Sequence, residues 1–532
     1  MRSRSPYLAV ILVACGSSSV PSSLKDGGDV SSNTDGGGNT NGGNPTVLGG
    51  GAAGTAGATA HTPATKTGSG GASGSAGGTA GSSGAATNSG GTTASNGGAS
   101  TGGATNSAGA STGGGASTDP NASTVHLDRL HQTIDGFGAA DPAFGDGSGA
   151  NKDNALTDAQ ADLFFSPTAG VGLSLLRVGI DADGNDLAAW SNAAKAAARG
   201  ARIWAAPWSA PAMWKDNGDV NNGGHLCAAR GQGSCDGSHY DDWANRLVNF
   251  VTTMKMQSGV DLYAVSVQNE PDYATSYASM LYTNQEMANF VRVLGPKLAA
   301  LSAHPKLMAG EFSSWDNLWG MVNAIEQDST ALSYTNIYAT HQYNGTVACH
   351  GPGASACDTK RPTWETEVSG FDGFNPSIAN GIGVAMWIHN ALVTGNVTAW
   401  HYWWLMLQPD GTDNEALTDA SGHPAKRLYA MGNFSKFVRP GFVRVDIDGV
   451  IPGGVSMTAF EQAQHVVVVA INQNASASRV SLSFVGGAAP SAMAPWVTSA
   501  SDDLAPKSAI MVTNGRLSTT LQPQSITTFV SL

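Results

Sequence analysis

Two short apolar runs in this chain end in a carboxylate. Ser266-Val267-Gln268-Asn269-Glu270-Pro271 closes one, and Trp364-Glu365-Thr366-Glu367 closes the other. Two carboxyl groups that face each other across a bound chain can break a glycosidic bond. One protonates the leaving oxygen, and the other attacks the anomeric carbon or activates water. Glu270 is the candidate general acid/base and Glu367 the candidate nucleophile. The structural alternative for either is an ion pair with a buried arginine, here Arg177. Two such residues at matching strand ends favour chemistry over that alternative. Glu365 shares a strand face with Glu367 but sits deeper, and only the final residue of the run reaches a mouth.

Polar and aromatic residues surround this pair at comparable positions. Asn269 stands beside the acid/base and can bond a sugar hydroxyl. Arg177 ends an earlier apolar run and can keep the nucleophile ionised. His341 and Tyr343 end the run before Glu367 and can orient it, unless His341 is a satisfied core histidine. Trp208, Trp214, Tyr273, Trp403 and Trp404 fall at or just after strand ends. Aromatic faces at a mouth stack on the C–H faces of sugar rings, although any one of them could be core.

The elements that must position these groups are legible from periodicity. Strand candidates are 136–140, 173–180, 202–209, 262–270, 306–311, 336–343, 363–367 and 399–405. Between them lie helical patterns. Tyr240 to Gln257 places Trp243, Leu247, Phe250, Val251 and Met254 on one face, and Asn284 to Leu301 does the same with Met287, Phe290, Val291, Leu294 and Leu298. Eight strands alternating with helices predict an α/β fold, a (β/α)8 TIM barrel, whose chemistry sits at the C-terminal strand ends. After Lys436 the pattern turns to short β runs at 465–472, 479–485, 507–513 and 525–532, which predict a side β-sandwich with antiparallel strands. The stretch 125–134 is also strand-like and could add to that smaller domain.

The 69 glycines are concentrated before the barrel: residues 16–124 are almost entirely Gly, Ser, Thr, Ala and Asn. Such a segment cannot offset its chain entropy by burial and reads as a disordered, low-complexity tether. The organisation is therefore a signal segment (1–15), a tether (16–124), a catalytic barrel (125–435) and a side domain (436–532). Arg2 and Arg4 precede an apolar run too short to span a bilayer, and the run ends in Leu12-Val13-Ala14-Cys15. That pattern predicts lipidation at Cys15 and an anchor on an envelope surface, against the alternative of an ordinary signal peptide with an incidental cysteine. The remaining cysteines fall into two equally spaced pairs, Cys227 with Cys235 and Cys349 with Cys357. In an exported chain these read as local disulfides rather than metal knuckles. A net charge of −13 argues against nucleic acid and leaves a neutral polymer as the natural partner of a monomer whose only membrane contact is the anchor.

Taken in order, several segments resemble glycoside hydrolase family 30, nearest to its bacterial glucuronoxylan endo-β-1,4-xylanases. They are His131-Gln132-Thr133-Ile134-Asp135-Gly136-Phe137-Gly138, Leu176-Arg177, Trp208-Ser209-Ala210-Pro211, Val267 to Tyr273, Thr340-His341, Trp364 to Glu367 and Asn433 to Gly441. The resemblance spans Val125 to Leu532. It implies a barrel with a side sandwich, a retaining mechanism, no cofactor and no metal, and the two glutamates already named. One departure stands out. Where the glucuronoxylanases carry an arginine that grips a glucuronate branch, Trp403-Trp404 here runs into Leu405-Met406-Leu407-Gln408-Pro409-Asp410, with Asp413 and Glu415 beyond and no cation before Lys426. Other members imply alternatives with the same mechanism, a β-1,6-galactanase or a β-1,6-glucanase. A third alternative is a surface lipoprotein that binds polysaccharide without cleaving it.

Overall fold

The structure is a computed structural model that describes residues 122–141, 155–182, 187–227, 239–348, 359–370, 373–406 and 415–532. Cys15, the tether as far as residue 121, Cys235, Cys349, Cys357, Asp410 and Asp413 lie outside the described residues.

In chain order, β1 (Ser123–Thr133) leads into β2 (Gly136–Asp141), after which strands and helices alternate. The series runs α1 (Asp158–Phe165), β3 (Leu175–Ile180), α2 (Leu187–Ala197), β4 (Arg202–Pro207), α3 (Tyr240–Ser258), β5 (Ala264–Ser266) and α4 (Asn284–Ala299). It continues with β6 (Lys306–Ser314), α5 (Trp315–Gln327), α6 (Ser329–Tyr334), β7 (Thr335–Asn344), β8 (Thr363–Glu367), α7 (Ile378–Val393), β9 (Ala399–Trp404) and α8 (Lys426–Ser435). Strands β2 to β9 close into a parallel barrel in which β9 pairs back onto β2. All eight predicted strands are present.

Local signals explain where the helices begin and end. Thr157 with Gln160 and Thr283 with Glu286 form capping boxes at the starts of α1 and α4, satisfying donors that the first turn leaves open. Helix α3 stops at Gly259, which takes a left-handed φ of 73°. The predicted face of α3, Trp243 to Met254, is buried against the barrel wall. Inside the barrel, Trp204, Trp364 and His401 form a plug, with Trp204 Nε1 donating to His401 Nε2 at 3.0 Å. Beneath it Asp135 accepts from Trp364 Nε1 at 2.9 Å and Thr398 Oγ1 at 2.7 Å. These contacts fill the lower part of the barrel interior, beneath the C-terminal strand ends.

The side domain is the expected side β-domain, its strands folding over a core of their own that includes Val468, Leu482, Met493 and Leu517. It is one continuous ten-stranded sheet built from β1, β10 (Val443–Gly449), β11 (Val455–Gln462), β12 (His465–Asn472), β13 (Ser478–Val485), β14 (Ala492–Thr498), β15 (Ala505–Pro506), β16 (Ile510–Met511), β17 (Arg516–Leu521) and β18 (Ser525–Ser531). β1 lies between β10 and β13, antiparallel to the first and parallel to the second. Of the predicted strand at 507–513 only the short β16 forms, with β15 lying just before it. The unpredicted β14 contains Pro495, which disguises it, yet it pairs with β18 over six residues.

Strand β12 shows how the two domains join. Val466, Val468 and Ala470 face the sheet's own core, whereas Val467, Val469 and Ile471 belong to the core shared with the barrel helices. Each buried valine contributes roughly 1.5–3 kcal/mol, so this run reads as uninterrupted apolar sequence because both of its faces are covered. Asn433 on α8 adds a polar stitch: its Nδ2 donates to Thr528 Oγ1 at 2.9 Å, and Thr528 Oγ1 donates to the Asn433 carbonyl at 2.7 Å.

Candidate active site

The barrel brings Arg177, Asn269, Glu270, His341, Tyr343 and Glu367 together at its open end. Regular pairing in β5 stops at Ser266, four residues short of the predicted strand end. The chain beyond is held by single bonds: Asn269 N to the Pro207 carbonyl at 2.8 Å and Glu270 N to the Glu311 carbonyl at 2.9 Å. Glu270 itself has φ 44°, a left-handed conformation uncommon for a non-glycine residue. This turn, rather than a strand end, aims the carboxyl into the mouth.

Two bulges place its partners. Between β6 and β7 the register passes from Gly310↔Ala339 to Phe312↔Thr340, so Glu311 is the extra residue. Between β7 and β8 it passes from Thr340↔Glu365 to His341↔Glu367, so Thr366 is the extra residue. The second bulge sets Glu367 directly beside His341, and each bulge re-aims a side chain as bulges near functional sites do. The first depends on Gly310, at φ 119°, where a Cβ would lie 2.2 Å from the Ala339 carbonyl oxygen.

Glu367 accepts from Arg177 Nη1 through one oxygen and from the Tyr343 hydroxyl at 2.9 Å through the other. Arg177 does not close its strand, as the sequence suggested. It is the third residue of β3 and fully buried, and its Nη2 also donates to Asn269 Oδ1 at 2.6 Å and pairs with Glu311 at 2.9 Å. His341 Nδ1 lies 3.2 Å from Glu270 and 3.8 Å from Glu367. One oxygen of each of these two carboxylates and one His341 nitrogen all lie within 4.8 Å of one another.

The electrostatics follow from burial and neighbours. Burial alone would push the His341 imidazole down, but Glu367, Glu270 and Glu311 outweigh it and hold it up to about 10, so it is an imidazolium at neutral pH. Burial and the nearby Glu270 charge raise the Glu367 carboxyl above its ordinary value, against the pull of His341 and Arg177. Burial raises Glu365 well above the carboxylate range and lowers His401 to about 3, which leaves a neutral layer under the charged one. Burial, followed by the Glu367 charge, keeps the Tyr343 hydroxyl protonated well beyond its usual range, so it remains a donor.

The aromatic residues divide. Trp208 lies flat over Arg177, its ring centroid 4.6 Å from the guanidinium carbon, and contacts Trp403 at 6.0 Å. It is buried, and Trp404 is nearly so, packed edge-on against Trp403 at 4.8 Å. Half-buried Trp403 and exposed Tyr273 keep a face for a ligand. Trp214 is not at the mouth. It stacks on His239 at 5.7 Å and leans on Trp243 and Arg246 of α3, because the loop after β4 folds outward over that helix. Two site residues escaped the sequence reading. Tyr277 holds its hydroxyl close enough to Glu270 and Glu367 for their charges to raise it, after burial, above its usual range. Glu311 is fully buried against Arg177. The strand-end rule that selected Glu270 and Glu367 would have selected it too.

With this geometry in place, comparison with known proteins decides the family. Residues 187–352 match the glycosyl hydrolase family 30 TIM-barrel domain. Glucuronoxylanase XynC of Bacillus subtilis (strain 168) is 33% identical over 415 residues, covering 76% of this chain and 91% of that protein. The chain belongs to glycoside hydrolase family 30. Solved family 30 structures agree. The catalytic domain of xylanase C from Talaromyces cellulolyticus superposes with a TM-score of 0.67 at 29% identity, over 77% of this chain and all of that one. The family 30 endoxylanase from Clostridium papyrosolvens gives 0.62 at 31% identity, also over 77% of this chain and all of that one. The family 30 barrel described here is thus that of a glycoside hydrolase, an enzyme acting on polysaccharide.

Proposed function

We propose that this family 30 enzyme is an endo-acting β-1,4-xylanase working by double displacement. Glu367 attacks the anomeric carbon while Glu270 protonates the leaving oxygen. Glu270 then takes a proton from the water that releases the glycosyl-enzyme. The observation that carries this reading is the proximity of the two carboxylates, which have an oxygen pair within 4.8 Å. Retaining enzymes hold the pair about 5–5.5 Å apart, whereas inverting enzymes need about 6.5–9.5 Å to fit a water between them. Glu367, fixed by Arg177 and Tyr343, suits the nucleophile; Glu270, on the turn after β5 with His341 Nδ1 3.2 Å from its carboxyl, suits the residue that exchanges protons. The xylan preference rests on the names of the relatives, a glucuronoxylanase and endoxylanases.

Reducing-sugar release from xylan, glucuronoxylan, β-1,6-galactan and β-1,6-glucan tests the substrate, and activity confined to a β-1,6 polymer would replace xylan in this reading. Leaving-group dependence tests the roles. Glu367→Gln should abolish turnover of every substrate, whereas Glu270→Gln should spare aryl glycosides with good leaving groups. Binding of all four polymers without cleavage of any would leave a carbohydrate-binding lipoprotein. For the rest of the chain we propose export, a lipid anchor at Cys15 on an extracellular or outer-membrane surface, a monomeric state, and disulfides Cys227–Cys235 and Cys349–Cys357. The burial of Cys227, and the backbone bonds that tie its N–H to Trp214 and its carbonyl to His239, support the first pair.

A further inference from the structure

We infer that Glu311 is a positioning residue for the reaction: its carboxylate anchors the Arg177 guanidinium and the His341 imidazolium, so that each reacting glutamate meets a fixed cation. This rests on the reading of Glu270 and Glu367 as the reacting pair.

Glu311 touches neither the mouth nor a substrate path, being completely buried. An isolated buried carboxylate is costly, so its retention needs partners. One oxygen pairs with Arg177 Nη2 at 2.9 Å and lies 3.8 Å from His341 Nε2. Those two cations in turn serve the reacting pair: Arg177 holds Glu367, and His341 Nδ1 faces both Glu270 and Glu367. The Glu311 backbone contributes as well, since its carbonyl accepts from Glu270 N. Its φ of 60° and the bulge it occupies turn the side chain inward while fixing the start of the Glu270 turn. A single residue on β6 thereby sets the carbonyl that positions Glu270 and the charge that positions both cations.

The groups facing His341 define what Glu311 adds. They are Glu270, Glu367 and Glu311 as charged neighbours, Tyr343 packed edge-on at 6.0 Å, and Glu365 and His401 in the neutral layer. As an imidazolium, His341 donates through Nδ1 to whichever reacting carboxylate is ionised. During the first displacement Glu367 loses its negative charge to the sugar and Glu270 gains one as it gives up its proton. A donor poised between them follows that transfer of charge without moving. With Glu311 neutral, the Nε2 proton has no counter-charge, and His341 reverts toward a neutral ring that can no longer serve both.

Nitrogen-15 NMR of ring-labelled histidine in the native enzyme is the first test. His341, assigned by its loss in His341→Gln, should show both ring nitrogens protonated at pH 8. A singly protonated His341 there overturns the proposal without reference to activity, and so independently of the roles given to Glu270 and Glu367. The second test is Glu311→Gln. Its kcat on xylan should fall about 10- to 100-fold with KM changed less than about threefold, less than the about 100- to 10,000-fold that a general acid or base itself supplies, because Glu311 acts through other residues. The alkaline limb of the pH profile should move toward neutrality, because one of the three carboxylates that hold His341 charged, after Glu367 and Glu270, is gone. Glu311→Asp should restore part of kcat and return the limb toward its native position. A Glu311→Gln enzyme that folds and keeps the native pH profile overturns the proposal. Should that variant not fold, the native NMR signature still decides.

Discussion

Tyr343→Phe removes one hydroxyl and keeps the ring that packs against His341. The hydroxyl donates to Glu367 at 2.9 Å, and burial keeps it protonated throughout the working range. A hydrogen bond to a charged acceptor is worth roughly 1.5–3 kcal/mol, which corresponds to about 10- to 150-fold in a rate constant. The two displacements should feel the loss differently. In the first, Glu367 gives up its charge to the anomeric carbon, so the bond weakens toward the transition state and its removal costs little. In the second, Glu367 departs as a carboxylate, and the donor stabilises the charge that forms. Release of the glycosyl-enzyme should therefore slow by about that factor, and an aryl xylobioside should show a burst of phenolate followed by a slow steady state. The acid limb should also move. Glu367 is already raised by burial, and loss of a donor to its charged form raises it further, so activity should fall at a higher pH as the solution is acidified. A variant with neither a burst nor an upward shift of the acid limb would refute the assignment of Tyr343 and Glu367.

Gly310→Ala should lower Tm by roughly 3–4 °C, taking about 3 kcal/mol for the clash with the Ala339 carbonyl and about 1.2 °C per kcal/mol for a folded part of about 400 residues; scanning calorimetry reads it, and an unchanged Tm would mean the bulge is not needed. Cys15→Ser should move the protein from the membrane fraction to the soluble one with activity intact, and unchanged membrane association would point to another attachment. Dependence on glucuronate branches should be weak, with similar rates on decorated and undecorated xylan and a mixed product ladder; one product series carrying a uronate at a fixed position would show that some residue reads the branch.

The last expectation follows from where the described cations near the mouth are committed. Lys426 bonds Asp503 and the Asp502 carbonyl of the side sheet. Arg427 is buried, donates to the Tyr402 hydroxyl and lies between the rings of Phe374 and Tyr402. Arg439 lies at the opposite end of the barrel, before β3 begins, where it bonds the Ser435 carbonyl at 2.7 Å and the Gly172 carbonyl. Arg177 is held by Glu311 and Glu367. Glu415, by contrast, accepts from Ser369, whose oxygen lies 3.4 Å from the Tyr343 hydroxyl. A carboxylate so near the centre repels a uronate, and a bidentate fork for that uronate needs a free guanidinium.

The barrel was legible in the sequence because its signals are local. Alternation of apolar runs and the faces of α3 and α4 each occupy a few adjacent residues. Glu270 and Glu367 were legible because a strand-end carboxylate is a positional signal. What escaped was non-local or disguised. Nothing near Trp214 indicates that its loop folds onto α3, since that contact depends on Arg246 and Trp243 some thirty residues on. The insertion of β1 between β10 and β13 joins residues more than 300 positions apart. Strand β14 was hidden by Pro495, whose propensity argues against a strand that tertiary pairing nevertheless imposes.

The bulges carry the same lesson into the chemistry. A regular β8 would put successive side chains on opposite faces, and a regular β7–β8 ladder would set His341 against Thr366 rather than Glu367. One extra residue at Thr366 brings Glu367 level with His341, and one at Glu311 turns that carboxyl toward the same imidazole. Strand periodicity read along the sequence assumes an unbroken register and is blind to both. It predicts which strand ends carry a carboxylate but not which carboxylates share a cation. Sharing decides the chemistry, because two carboxylates this close can both be ionised only when positive charge stands beside them, and otherwise one of them keeps its proton. The reacting pair of this barrel is therefore a property of four strands in register rather than of two motifs.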